Sequence, residues 1–424
     1  MIIFLVFPTV LVMLKNFFIL SSILYLDSGL SLIFYTFPLV LFLIFIVNFN
    51  FLGSKEKLYY STLFSFVLLF LFFCFNSLSR IHFLIFLENC VIFIVFLIFW
   101  FSKDLDKVSA GLFIFFINIF PSILFIYFCW NWDSSLLLNY FLFRDSSRII
   151  YFFCFSGLLV SKLPLFLFHF WLTKAHVRAS GAGSMILASL ILKIGTIGFY
   201  KFYYFFSKNF KVLRSRIFFL SCLGMVFFLS FIIRFFDLKY MVACSSIVHI
   251  APIFPLCIQG DGFSIYSCFL MMVGHGLVSY FIFFLVRVLY EQSYNRSIDF
   301  NKSLNTFSTL LIRFIFFFFL LNLGFPPFCR FLRELIFLRC FSMLRFLLIR
   351  TFCVSLLLRG LVFFFVVSKS LFGKKLMFNA SSLNYNIYIY SSVFIFFFLL
   401  IPLIYSYFFS LKKNFALWKR RFLK

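Results

Sequence analysis

The chain has 424 residues, 64% of them hydrophobic and only 12% charged, with a mean hydropathy of +1.12. A soluble protein of this size needs far more polar surface, so composition excludes a water-borne globule and makes the bilayer the solvent. The net charge of +26 is spread as Lys and Arg punctuating apolar helices, which leaves no basic, aromatic-lined surface for nucleic acid.

Apolar runs of about 20 residues, the length that crosses a hydrocarbon core, recur almost end to end. In chain order they predict spans at 2–25, 30–52, 58–77, 81–102, 108–131, 149–169, 184–205 and 215–234. The rest fall at 238–258, 264–289, 305–325, 331–348, 350–370 and 391–410. The stretch around Pro326-Pro327 reads as two halves of one broken helix, which makes about 13 or 14 spans. Short loops leave no room for a soluble domain, and unbroken apolar runs do not alternate as barrel strands must. The fold class is an all-α polytopic membrane protein.

Basic clusters at Lys208–Arg216 and in the C-terminal "LKKNFALWKRRFLK" fit anionic lipid head groups, cardiolipin among them, or acidic partner subunits. The 11 cysteines show neither CxxC nor Cys/His metal spacing and read as small buried hydrophobes. The N terminus runs straight into an apolar helix with no cleavable presequence. The 81 phenylalanines largely replace leucine, a bias that fits a T-rich, organellar genome and loose packing against lipid.

Charges in mid-span carry the chemistry. Even the lenient insertion scale makes a central Lys or Asp unfavourable by roughly 2.5–3.5 kcal/mol. Four stand out: Glu88 in "HFLIFLENCVIFIVFLIFW", Lys162 just before Pro164, Lys193 in "MILASLILKIGTIGFYKF", and Glu334 in "LGFPPFCRFLRELIFL". A single long-stemmed Lys often snorkels to the interface, but the short stem of Glu88 cannot reach far. A membrane row of Glu, Lys, Lys and Glu supplies exchangeable protonation sites, which a proton relay joins with water. His169 follows Lys162 by seven residues, close to two helical turns, which would place both on one helix face. His249 and His275 sit in mid-span beside hydroxyl and glycine neighbours, whereas His176 is read in a following loop. Pro164 and Pro326-Pro327 free backbone carbonyls inside the membrane, and interrupted helices in two corresponding halves point to a transport site.

The block "KLPLFLFHFWLTKAHVRASGAGSMILASLILKIG" resembles the signature of the NADH dehydrogenase subunit 4 family, antiporter-like membrane subunits of respiratory complex I. "DLKYMVACSSIVHIAP", "GHGLVSYFIFFLVRVLYEQSYNR" and "NLGFPPFCRFLREL" are similar to its later elements, in collinear order over about 30–370. The resemblance implies two pseudo-symmetric inverted bundles, each with a broken helix. It also implies a proton path from the pair Glu88 and Lys162, through Lys193 with His169, His249 and His275 supporting, to an exit at Glu334. The chain divides accordingly into N-terminal helices 1–57, halves at 58–205 and 206–370, and a helix with a basic tail at 371–424. Departures from the family pattern are Arg178, Ser180 and Thr173 in the signature, Arg330 and Arg333 before Glu334, and an N terminus about one helix shorter.

The leading expectation is a proton-translocating subunit of NADH:ubiquinone oxidoreductase, multi-pass in the mitochondrial inner membrane and organelle-encoded. Its expected partners are other membrane-arm subunits, including sibling antiporter-like subunits. The chain lacks a glycine-rich phosphate loop and cluster-spaced cysteines, so NADH, FMN, iron–sulfur clusters and ubiquinone are expected in other subunits. A stand-alone cation/proton antiporter subunit of the same fold is the alternative, and a structural scaffold with vestigial charges a third reading.

Overall fold

A computed structural model describes residues 54–77, 80–100, 105–132, 156–158, 160–166, 168–259, 262–293, 295–299, 316–317, 320–324, 334, 338 and 346–371. Among these the chain is helical, with one isolated antiparallel bridge between Asp237 and Ser297. In lipid a helix satisfies its backbone within itself, which is why uniformly apolar runs take this form. His82–Phe99 (mean hydropathy 2.5) and Leu238–Gln259 (2.0) are long and apolar enough to cross a membrane, and five shorter apolar helices accompany them.

Helices α1 (Ser54–Asn76), α2 (Arg80–Trp100) and α3 (Leu105–Trp132) pack in succession, close to the spans read from sequence. Phenylalanines knit the first two: Phe66 and Phe70 stack on Phe93 at 5.0 and 5.3 Å between centroids, and Phe73 stacks on Phe86 at 5.1 Å.

The 149–169 span is not one helix. The chain is helical at Lys162, turns at Leu163 and Pro164, and resumes as α4 (Phe170–Arg178), with His169 as its N-cap residue. The expected shared helix face of Lys162 and His169 is therefore lost, because proline lacks the N–H and its ring clashes with the preceding turn. His176 is likewise corrected: it lies on α4, fully buried, and not in a loop.

Helix α5 (Gly181–Ile186) starts on Ser180, whose hydroxyl accepts from the Gly183 amide at 3.1 Å. A π-helical turn (Leu187–Ile191) leads into α6 (Leu192–Ile232). A methyl on Gly195 would meet Lys162 Cβ, and one on Gly224 would meet Phe166 Cβ, so both glycines flank the Pro164 break. A straight helix would hold these two positions roughly 45 Å apart, so α6 bends back between them and supplies two arms, as the separate spans 184–205 and 215–234 anticipate.

Asp237 caps α7 (Leu238–Ile250) by accepting from the Lys239 amide at 2.9 Å. A turn at Ala251-Pro252 separates α7 from α8 (Ile253–Gln259), so the span read at 238–258, here Leu238–Gln259, is made of two helical pieces. Pro252 and Pro255 cannot donate to the carbonyls one turn earlier, so the helix yields directly after His249. Helix α9 (Gly262–Ser293) packs against α7, α8 and the π-helical turn. Helix α10 (Phe346–Leu371) lies on α6; Arg359 faces inward, whereas Leu357, Leu361 and Phe364 form an exposed apolar face. The spans 2–25, 30–52 and 391–410 and the Pro326-Pro327 break lie outside the described residues, as do Arg330 and Arg333.

Candidate functional site

The interior is crossed by charged and polar side chains that successive helices hand inward. Lys162 ends the helical segment before the Pro164 turn, and Glu88 comes from the middle of α2. Lys162 Nζ donates to Glu88 Oε1 at 2.8 Å. The ammonium side chain is 2% exposed and the carboxylate 14%, so the pair is shielded, with the acid nearer the surface of the chain. The second oxygen, Oε2, has no hydrogen-bond partner among the described residues.

Lys193 is the second residue of α6, near Gly195, whose α-carbon lies against the Lys162 stem. It is buried, and its ammonium donates to the Ala188 carbonyl within the π-helical turn. Such turns shift the backbone bonding pattern and recur where helices carry functional groups. Gly276 of α9 borders the same ammonium: a methyl there would lie 3.4 Å from Lys193 Cε and 3.9 Å from Nζ. Next to Gly276 is His275, whose ring lies 6.1 Å from that of His249 on α7, both buried.

From His249 the row continues through a cavity of about 50 Å³, which His249, Ser245, Asn322 and Arg359 line together with apolar side chains. A water needs about 10–15 Å³ by this measure, so the space admits a few. Arg359, one of the cavity's lining residues, donates from Nη1 to Glu334 Oε1 at 2.6 Å, with both residues buried. The carboxylate lies over Gly324, where a Cβ would come within 3.4–3.5 Å of it, and Gly324 adopts φ 81°, a conformation open to glycine.

The structure thus brings Glu88, Lys162, Lys193, His275, His249 and Glu334 into one inward-facing series. It places His169 differently, against the rings of Phe170 (4.1 Å), Phe228 (4.4 Å) and Phe166 (6.3 Å). Sequence reasoning missed Arg359, although an arginine in the middle of "FLLIRTFCVSLLLRGLVFFF" satisfies the same test that singled out Lys193. It also missed Lys239 beside the α4 terminus, where His176, read in a loop, lies as well. Lys239 donates to the Ala179 carbonyl at 2.9 Å, and His176 stacks on Phe283 at 4.7 Å with neither ring nitrogen hydrogen-bonded among the described residues. With Arg296 donating to the Val177 carbonyl at 2.9 Å, the two cations Lys239 and Arg296 close the carbonyl end of α4.

These features define a class: a helical membrane protein with a row of buried acids and bases in its interior. The chain belongs to the family described as NADH:quinone oxidoreductase/Mrp antiporter, transmembrane, whose model matches residues 76–360. It is 32% identical over 280 residues to NADH-ubiquinone oxidoreductase chain 4 of Rhipicephalus sanguineus, covering 65% of this chain and 64% of the relative's length. The protein of that name from Apis mellifera ligustica is 29% identical over 307 residues, covering 70% and 68%. In fold it resembles a chain of respiratory complex I from Thermus thermophilus with bound NADH (TM-score 0.76, 16% identity, 87% and 80% covered). A chain of the Mrp complex from Dietzia sp. DQ12-45-1b is similar as well (TM-score 0.78, 15% identity, 89% and 77% covered).

Proposed function

We propose that this chain is a proton-translocating membrane subunit of respiratory complex I, working beside sibling antiporter-like subunits in the mitochondrial inner membrane. The observation that carries the reading is the row of buried charged and polar groups running from the Glu88–Lys162 pair to the Glu334–Arg359 pair. Redox centres and both substrates belong to other subunits of that assembly, and this chain's part is to hold and pass protons.

An ion pair at 2.8 Å in a shielded site interacts by several kcal/mol before its desolvation cost is counted, so moving or neutralising one partner changes the other's hold on its proton. With Glu88 ionised and close, Lys162 keeps its proton. When charge rearrangement in a neighbouring subunit draws Glu88 away or neutralises it, Lys193, whose Nζ lies beside Gly276, passes its own proton on toward His275 and as the free amine takes the Nζ proton that Lys162 releases. His275 and His249 carry the proton from Lys193 to the cavity, and Glu334, paired with the cavity-lining Arg359, receives it. The +26 charge is offset by acidic surfaces of partners and by anionic lipid such as cardiolipin.

The family also contains Mrp antiporters, but the chain-4 name of the relatives at 29–32% identity favours the complex I assignment over a stand-alone antiporter. Affinity purification of the tagged chain in mild detergent tests it directly. Recovery together with NADH dehydrogenase activity is expected. A stable, monodisperse chain carrying Na⁺/H⁺ exchange and no NADH oxidation would overturn it.

A further inference from the structure

The two ends of the series carry cations of different chemistry, and this difference deepens the proton-translocation reading on which it rests. Lys162 can give up its proton; Arg359 cannot, because a guanidinium stays charged in proteins. Arg359 is held firmly: Nη1 on Glu334 at 2.6 Å, Nη2 on Met225 Sδ at 3.7 Å, and the guanidinium 5.8 Å from the Phe352 ring centroid. Its Nε has no hydrogen-bond partner among the described residues, and the residue lines the same cavity as His249. A permanent positive charge therefore borders the cavity through which the two groups exchange the proton.

We propose that Arg359 is a fixed counter-ion that makes Glu334 and His249 take protons in alternation, one proton to the cavity at a time. While Glu334 is a carboxylate, it neutralises Arg359, and His249 can hold a proton as imidazolium. Transfer breaks the imidazolium N–H bond and forms a carboxyl O–H bond on Glu334, with cavity water passing the proton. Charge is conserved, but Arg359 now faces the cavity without its counter-ion. That charge repels a second proton from His249 until Glu334 releases the first on its far side. Arg359 so acts as a positioning residue that blocks back-flow, not as a proton carrier.

The experiment uses the assembled complex in sealed membrane vesicles and four variants: Arg359→Met, Arg359→Lys, Glu334→Gln and Lys162→Arg. Quinone-linked NADH oxidation, the proton-to-electron ratio, and the decay of an imposed proton gradient without NADH are measured, with NADH:ferricyanide activity as the measure of assembly. Arg359→Met is expected to speed gradient decay about tenfold, the factor that ~1.4 kcal/mol of lost repulsion produces, and to lower the proton-to-electron ratio. Arg359→Lys, which keeps a cation but one that can deprotonate, is expected to assemble normally and to fall between wild type and Arg359→Met. Glu334→Gln is expected to stop translocation without added leak. If the Arg359→Met and Arg359→Lys complexes that assemble show unaltered ratio and decay, Arg359 is only a structural clamp and the proposal is overturned. Unaltered pumping in Glu334→Gln and Lys162→Arg would instead overturn the proton-translocation reading itself.

Discussion

The Glu88–Lys162 and Glu334–Arg359 pairs are nearly identical in geometry, 2.8 Å against 2.6 Å, yet they differ in every property that governs proton traffic. The first joins an acid in the middle of α2 to a lysine at the edge of a proline turn, and the acid keeps some exposure. The second is shut between α6, α10 and Gly324, with a cation that never titrates. One end is built so that either partner can change charge; at the other, only the acid can. Ion pairs of equal length are therefore not equal parts, and a buried pair says little about role until its cation is named.

Substitutions can break or sharpen that contrast. The largest effect is expected from Lys162→Met, which keeps the stem and removes the ammonium. Coupled NADH oxidation and pumping should fail while the reaction with artificial acceptors persists, and Lys162→Arg should fail similarly. Full pumping in the assembled Lys162→Arg complex would make Lys162 a structural charge, and the two ends would then be alike. Next comes Glu334→Gln, which strands a buried guanidinium; removing one partner of such a pair costs about 3–5 kcal/mol, visible as a lower thermal midpoint in detergent. Gly324→Ala should cost about 1–2 kcal/mol for its positive φ, while its methyl crowds the Glu334 carboxylate. The same substitution at Gly276 tests the middle of the series, where φ is not at issue and only the space beside Lys193 changes. Smallest is Ser180→Ala, which deletes the α5 cap for about 1 kcal/mol and should leave pumping intact.

Much of this was legible in the residues. Glu88, Lys162, Lys193 and Glu334 were visible because a charge inside a 20-residue apolar run stands out against its neighbours. Arg359 meets the same criterion, but its partner Glu334 lies 25 positions away, and sequence spacing does not join them. Ser180, a departure from the family's proline, proves to be a helix cap, a role that its hydroxyl suits. Helical periodicity failed where proline intervened: the seven-residue spacing of Lys162 and His169 meant nothing once Pro164 turned the chain. His169 packs among phenylalanines instead.

The sequence by itself determined the solvent, the helical class, the family and most of the buried charges, since each depends on local composition or on contiguous motifs. The tertiary structure alone decided which charges meet. Glu88 finds Lys162 across 74 positions, Glu334 finds Arg359 across 25, and Lys193 finds Gly276 on another helix. Those pairings follow from how helices bend, break and pack, and nearest-neighbour pattern carries no record of partners so far apart in the chain.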